Sequence, residues 1–433
     1  MAHTRRKVLA AVLAASLLAP AAAQAAPADR QRDPVQALEQ MAHPLWSTEP
    51  GRFTGDLRAL GEMIGEAKVV GLGEATHGSH EFFAMKERVF RYLVEHKGFT
   101  AFALEMSWSA GLKIDEYLQT GVGDVREVAA KNLAGSPWDR EEFVSLLKWM
   151  RAYNQAHPGR TVHFVGDDVG APAVDDEFFE RITGFVRREH PEALPKLTEL
   201  YAGLRPLDAF TYVRKPVAER RQLAGKARQA LELISGMRDA SVEQNARFIA
   251  QTAEFLTIDP EDKATLPEFM RLRDRVMAQN VEWWQRRFGG KVLVSAHNNH
   301  VAYLSSDYPV HPETQGSFLR TAFGKDYLPI GFTFDRGSFL STNQAVGGGD
   351  WEKFTVGAAA PDTAEATLDR VGYEDFYLDV RTASARARAW LDAPHPTKSI
   401  GTQYPVPLED VKLAKSFDIV IHLHDVRAAA KRS

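Results

Sequence analysis

At 433 residues, with 44% hydrophobic and 25% charged side chains, the chain has the make-up of a folded protein with a large core, in one elaborate domain or two ordinary ones. Its formal charge of −4 excludes a basic surface for nucleic acid. The absence of cysteine excludes disulfides, thiolate nucleophiles and sulfur-ligated zinc, so stability must come from packing.

Arg5, Arg6 and Lys7 precede an apolar run over residues 8–19 and the small-x-small triplet Ala23-Gln24-Ala25. This is the layout of a signal peptide over residues 1–25, cleaved after Ala25 or Ala26. The apolar run is too short for a permanent membrane anchor. The expected product is periplasmic or secreted, exported by the Sec route or, from the paired arginines, by the twin-arginine route. Losing the three leader cations takes the charge to about −7.

Runs rich in Val, Ile and Phe at 68–73, 100–105, 161–166, 291–296, 328–334, 376–380 and 417–422 alternate with helix-compatible stretches. They predict an α/β domain over residues 30–433, with a largely parallel central sheet flanked by helices and reactive groups at the carboxyl ends of the strands. From about 175 to 280 the pattern is helical, as over 219–237 and 242–255, which reads as an inserted helical subdomain serving as a lid or as a buttress. Gly347-Gly348-Gly349 reads as a loop, since no phosphate-binding helix signature follows it.

The first chemically dense segment, Gly71-Leu72-Gly73-Glu74-Ala75-Thr76-His77-Gly78, directly follows the first strand. Its glycines are expected to turn the chain sharply off the sheet. Glu74 can then orient the His77 imidazole and stabilise it as it takes a proton from water. Glu105 ends the next apolar run and must meet a cation, an imidazole or water, because an unpaired buried carboxylate is costly. Ser107 lies nearby, but the chain has no Gly-x-Ser-x-Gly elbow, so a serine nucleophile is not expected. Asp167 and Asp168 end a third strand and can orient a cation.

Arg271-Leu272-Arg273-Asp274-Arg275 opens a helix that runs through Trp283 and Trp284. Arg273 can clamp a substrate carbonyl or hold Glu105, against the alternative of a solvated charged face, and the tryptophans read as core. His297-Asn298-Asn299-His300 follows another apolar strand and offers donors to a developing oxyanion, or ligands to a metal.

Taken together, Gly73-Glu74-Ala75-Thr76-His77-Gly78, the segment ending in Leu104-Glu105, Arg273-Asp274-Arg275 and Ala296-His297-Asn298-Asn299-His300 resemble the erythromycin esterase family in order and spacing. The resemblance implies an α/β core with helical additions and hydrolytic opening of a macrolactone, an antibiotic-resistance activity. It also implies that Glu74, His77, Glu105, His297 and His300 occupy the family's active-site positions. Some members carry arginine where this chain has Lys86, which keeps the charge but loses the planar fork.

The mechanism expected is direct hydrolysis of a small-molecule ester or macrolide. His77 and Glu74 activate water, His297 stabilises the oxyanion, Glu105 fixes the water or a cation, and His300, Arg273 and Lys86 hold substrate. That reading needs no cofactor. Two alternatives are a hydrolase in which His77, His80, His297 and His300 bind a divalent metal, and a non-catalytic protein of the same fold that binds a ligand or haem.

Overall fold

Val69–Leu72 contains no polar side chain and every residue of it is buried, as expected of a strand covered on both faces. The computed structural model describes residues 33–259, 262–307 and 310–432, so the expected signal peptide lies outside the described residues. Within them ten strands form one sheet: β1 (Ala42–Pro44), β2 (Val69–Leu72), β3 (Phe99–Ser107), β4 (His163–Asp168), β5 (Lys291–Ser295), β6 (Tyr327–Asn343), β7 (Glu352–Val356), β8 (Phe376–Asp379), β9 (Gln403–Tyr404) and β10 (Ile419–Val426). The main order is β1-β8-β10-β6-β2-β5-β3-β4, with β7 and β9 pairing onto the far end of β6. From β10 to β4 every pair is parallel, while β8 and β1 add antiparallel at one edge.

Alternate side chains of these strands feed two cores. Val69, Ala101, Ala103, Val292 and Val294 pack on one face with the helical segment. Val70, Leu72, Phe102, Leu104 and Leu293 pack on the other, against α1 (His80–Lys97) and α2 (Glu141–Ala156). The helical segment consists of α3 (Asp176–Glu189), α4 (Leu194–Tyr201), α5 (Val217–Ser235), α6 (Ala240–Phe255) and α7 (Leu266–Phe288). The α7 helix runs on past residue 280 because its apolar stripe, including Leu272, Val276, Met277 and Val281, continues across the sheet, where it packs on β4 and β5. Among the described residues, no helix is long and apolar enough to cross a membrane.

The register sets up everything that follows. Leu72 pairs with Ser295 on β5 and Ile330 on β6, Leu104 pairs with Ser295, and Leu104 also pairs with Gly166. The carboxyl ends of β2, β5, β3 and β4 are therefore level, and the residues just beyond them emerge at one edge. Between Leu104 and Ser107 the β3–β4 ladder shifts register, with two residues of β3 opposite one of β4. Such a bulge re-aims side chains, and Glu105 is one of the two residues within it.

Candidate functional site

Glu74 leaves β2 fully buried and is gripped at both oxygens. Its Oε1 lies 2.5 Å from His77 Nδ1, and its Oε2 accepts a hydrogen bond from Lys86 Nζ on α1. Lys86 also donates to the Ala296 carbonyl at 3.3 Å. Burial draws the Lys86 pKa down against the pull of Glu74. Lys86 thus stands behind Glu74 and outside the cleft wall, so it serves as an anchor rather than the substrate contact expected.

The chain turns at His77-Gly78, as expected, but the glycines of this loop are needed for close approach rather than for a left-handed backbone. Gly73 and Gly78 do not take positive φ. They are required because a Cβ would stand 2.2 Å from Asn298 Oδ1 at the first and 1.9 Å from the Leu340 carbonyl oxygen at the second.

With Nδ1 held by a carboxylate, His77 presents Nε2 outward. Its ring sits edge-on to Trp138 with centroids 5.0 Å apart, and 5.2 Å from the ring of His297. His297 Nδ1 accepts the Asn299 N–H at 3.3 Å, and on that contact the neutral ring carries its proton at Nε2. That Nε2 is buried and has no partner. Burial, and then the neighbouring His77, hold the His297 pKa well below its usual value, so the ring stays neutral. A Cβ on Gly401 would lie 4.0 Å from Nε2 of both histidines, so an acceptor and a donor face one small space under that residue. Gly401 has a φ of +56° and its carbonyl accepts the His77 N–H at 3.1 Å.

Glu105 Oε2 accepts the His297 backbone N–H at 3.0 Å, and its Oε1 meets Arg273 Nη2 at 2.9 Å and His300 Nε2 at 3.3 Å. Burial opposes its charge, but His300, His77 and Arg273 outweigh it and hold the carboxyl well below the usual range. Arg273 also forks onto Asp168, at 2.9 Å from Nε and 2.5 Å from Nη2. His300 Nδ1 lies 2.8 Å from Asp274 Oδ1, and although burial opposes the imidazolium, Asp274 and Glu105 push its pKa up to about 10. His311 Nε2 sits 3.0 Å from Asp274 Oδ2, at an angle that misses hydrogen-bond geometry. Asp167 stays behind, bonded to Gln315, and burial raises its pKa well above normal.

Of these groups His77, Glu105, Arg273, His297, His300, His311 and Gly401 line a cleft of about 570 Å³. Pro137 and Trp138 border both this cleft and a second lobe of about 360 Å³, in which Ser107 lies, bonded to Ser109. His80 is turned away, held by Glu142 and Glu49 at 2.6 and 2.9 Å, so the four histidines of the metal alternative are not gathered. Arg271 pairs with Glu313 at the surface.

A model of the erythromycin esterase family matches residues 94–426. The chain belongs to the erythromycin esterase family. It is 24% identical over 317 residues to erythromycin esterase type II of Escherichia coli, spanning 67% of this chain and 74% of that one. It is 22% identical over 426 residues to the putative hydrolase YbfO of Bacillus subtilis, covering 90% of each. A solved structure described as a succinoglycan biosynthesis protein superposes with a TM-score of 0.84 at 31% identity, over 93% of this chain and 99% of that one. An erythromycin esterase carrying a histidine-to-asparagine change, in its open conformation, shares the fold with a TM-score of 0.68 at 18% identity, over 89% and 97%. Membership of the erythromycin esterase family supports a hydrolase-like activity on a small molecule.

Trp138, Gly401, His311 and the role of Asp274 were not drawn from the sequence as parts of the site, whereas the ion pair of Asp168 with the Arg273 cation matches the cation-orienting role read from its place at a strand end. Of these, Asp274 carried a usable signal, an acid at helical spacing from the buried apolar residues Met277, Ala278 and Val281 of α7. Trp138, Gly401 and His311 lie outside the core strands and helices that patterning identifies.

Proposed function

We propose that the chain is a carboxylic ester hydrolase that adds water directly to an ester or macrolactone carbonyl. The observation carrying this reading is that the Nε2 atoms of His77 and His297 face one space, one as an acceptor and the other as a donor. His77, steadied at Nδ1 by Glu74, takes a proton from water. The water oxygen bonds to the carbonyl carbon, and the oxyanion that forms accepts the His297 Nε2–H. Collapse breaks the bond to the leaving oxygen, which receives the proton from His77. An ester yields an acid and an alcohol, and a lactone yields one hydroxy acid heavier by one water.

Glu105 is a positioning residue in this scheme, fixing His297 through its backbone N–H and holding the Arg273 and His300 cations at the cleft wall. A cleft of about 570 Å³ suits a drug-sized substrate, and the family favours a macrolide among esters. Turnover in ¹⁸O-water should place one label in the product carboxylate, and His77→Asn should lower kcat by roughly 10²–10⁴-fold while the protein still folds. An acyl adduct on Ser107 or any other side chain during turnover, or near-normal kcat in the variant, overturns the mechanism.

The leader motif extends the proposal to export, with residues 1–25 removed and the mature protein periplasmic or secreted. N-terminal sequencing of natively produced protein should begin at Ala26 or Pro27. Protein that keeps Met1 inside the cell refutes it.

A further inference from the structure

A second cluster of metal-ligating side chains lies away from the cleft, where β10 runs beside β6. Successive residues of a strand point to opposite faces, so His422 and His424 share one. In the register where Leu423 pairs with Phe334, His424 comes level with Asp335 on the same face. The helix Ala364–Leu368 covers that face, and Asp369 at its end joins the group. His424 Nδ1 lies 2.5 Å and His422 Nε2 3.6 Å from Asp369 Oδ1. The ligand atoms of Asp335, Asp369 and His424 all fall within 4.8 Å of one another.

Carboxylates near histidines are common without an ion, and the decisive feature here is His422. Its side chain is fully buried, its Nδ1 is bonded to Thr333 Oγ1 at 2.9 Å, and its Nε2 has no hydrogen-bond partner. A hydrogen bond from one ring nitrogen is how metal-ligating imidazoles are usually oriented, leaving the other nitrogen for the ion. Nearby, Glu365 Oε2 is also buried and unpartnered. Arg336 supplies the positive charge, touching Asp335 Oδ2 at 2.6 Å and Asp369 Oδ2 at 3.5 Å, while Lys398 is bonded to the Phe334 and Asp335 carbonyls. The Arg336 side chain is 39% exposed and can swing to solvent, which also opens an entry path.

We infer that His422, His424, Asp369 and Asp335 form a divalent transition-metal site of the zinc class, separate from the hydrolytic cleft. Two imidazoles and two carboxylates with no sulfur are a zinc, cobalt or manganese donor set. A bound ion would clamp the central strands β10 and β6, where they pair beyond Phe334, to the helix covering them, so its role is to hold that end of the sheet together.

The test is calorimetric titration of zinc into the full mature chain after chelator treatment. One equivalent should bind. Because changes even to outer partners of a metal site cost roughly 10–100-fold in affinity, His424→Asn and Asp369→Asn should each weaken binding by more than about 100-fold. His300→Asn should leave that equivalent in place, separating this site from the Asp274–His300–His311 group. Cobalt bound at the same stoichiometry should show weak ligand-field bands, and X-ray absorption should report nitrogen and oxygen neighbours at about 2.0–2.2 Å. Circular dichroism checks that the variants fold, and the wild-type titration stands without them. No zinc uptake by the wild type at millimolar concentration overturns the inference, as does an equivalent retained by both His424→Asn and Asp369→Asn or lost in His300→Asn alone.

Discussion

Glu74 works through the two residues that grip it. Were Lys86 a substrate contact, replacing it would chiefly raise KM. The bond from Lys86 to the far oxygen of Glu74 gives a different expectation. Removing one member of a buried pair leaves an uncompensated charge, at a cost of about 3–5 kcal/mol. Lys86→Met should therefore lower stability by that order in urea denaturation and reduce kcat, with KM nearly unchanged. A large KM effect at unchanged stability would return Lys86 to the substrate.

The His300 imidazolium gives a signed pH dependence. Its folded pKa of about 10 stands above the ordinary 6.5, so the stabilisation it brings is complete below 6.5 and disappears as pH rises through 10. Asp274 is shifted the other way: burial resists, but His300 and His311 lower its pKa, so its contribution exists above its ordinary value and is lost in acid. Urea midpoints measured between pH 6 and 10.5 should fall more steeply for the wild type than for His300→Asn. Parallel curves for the two proteins would contradict the assignment of the charge to His300.

At the scale of elements, the strand ends and the arm of β6 do different work. The seven apolar runs read from the sequence all became strands, because burial on both sheet faces demands continuous hydrophobicity. The 17-residue length of β6 was not legible, since Asp335, Arg336 and Gly337 interrupt the apolar run. Its far half is held from outside by β7 and β9 and by the loop that carries Glu74 and His77. Gly78 accepts the Leu340 N–H at 2.9 Å and also that of Ala429 at 2.9 Å. Gly78→Ala would drive a methyl group into the Leu340 carbonyl, and overpacking of this kind costs about 1–3 kcal/mol. The expected result is a lower denaturation midpoint together with reduced kcat, since the displaced loop carries Glu74 and His77. An unchanged midpoint and kcat would show that the arm does not position the loop.

On the scale of the whole molecule, what the sequence disclosed and what it hid divide along a physical line. Glu74, His77, Glu105 and His297 were readable because each leaves the end of an apolar strand, and parallel strands bring their carboxyl ends to one edge. The roof and walls were not, because Trp138, Gly401 and His311 come from segments whose approach depends on the packing of the rest of the chain. The direction in which Lys86 points was hidden for the same reason.

The roof also dates the activity. The His77 N–H donates to the carbonyl of Gly401, and the Ala75 carbonyl accepts the Ile400 N–H at 2.8 Å. His77 is therefore framed by backbone made well after it, at residues 400 and 401, and β10, which pairs beside β6, comes later still. A ribosome that has passed residue 300 has already produced every side chain named in the hydrolytic scheme. The polypeptide nonetheless lacks the closed cleft until residue 401 has emerged and docked, so under the proposed mechanism chains stalled before that point carry the full set of reactive groups and no competent site.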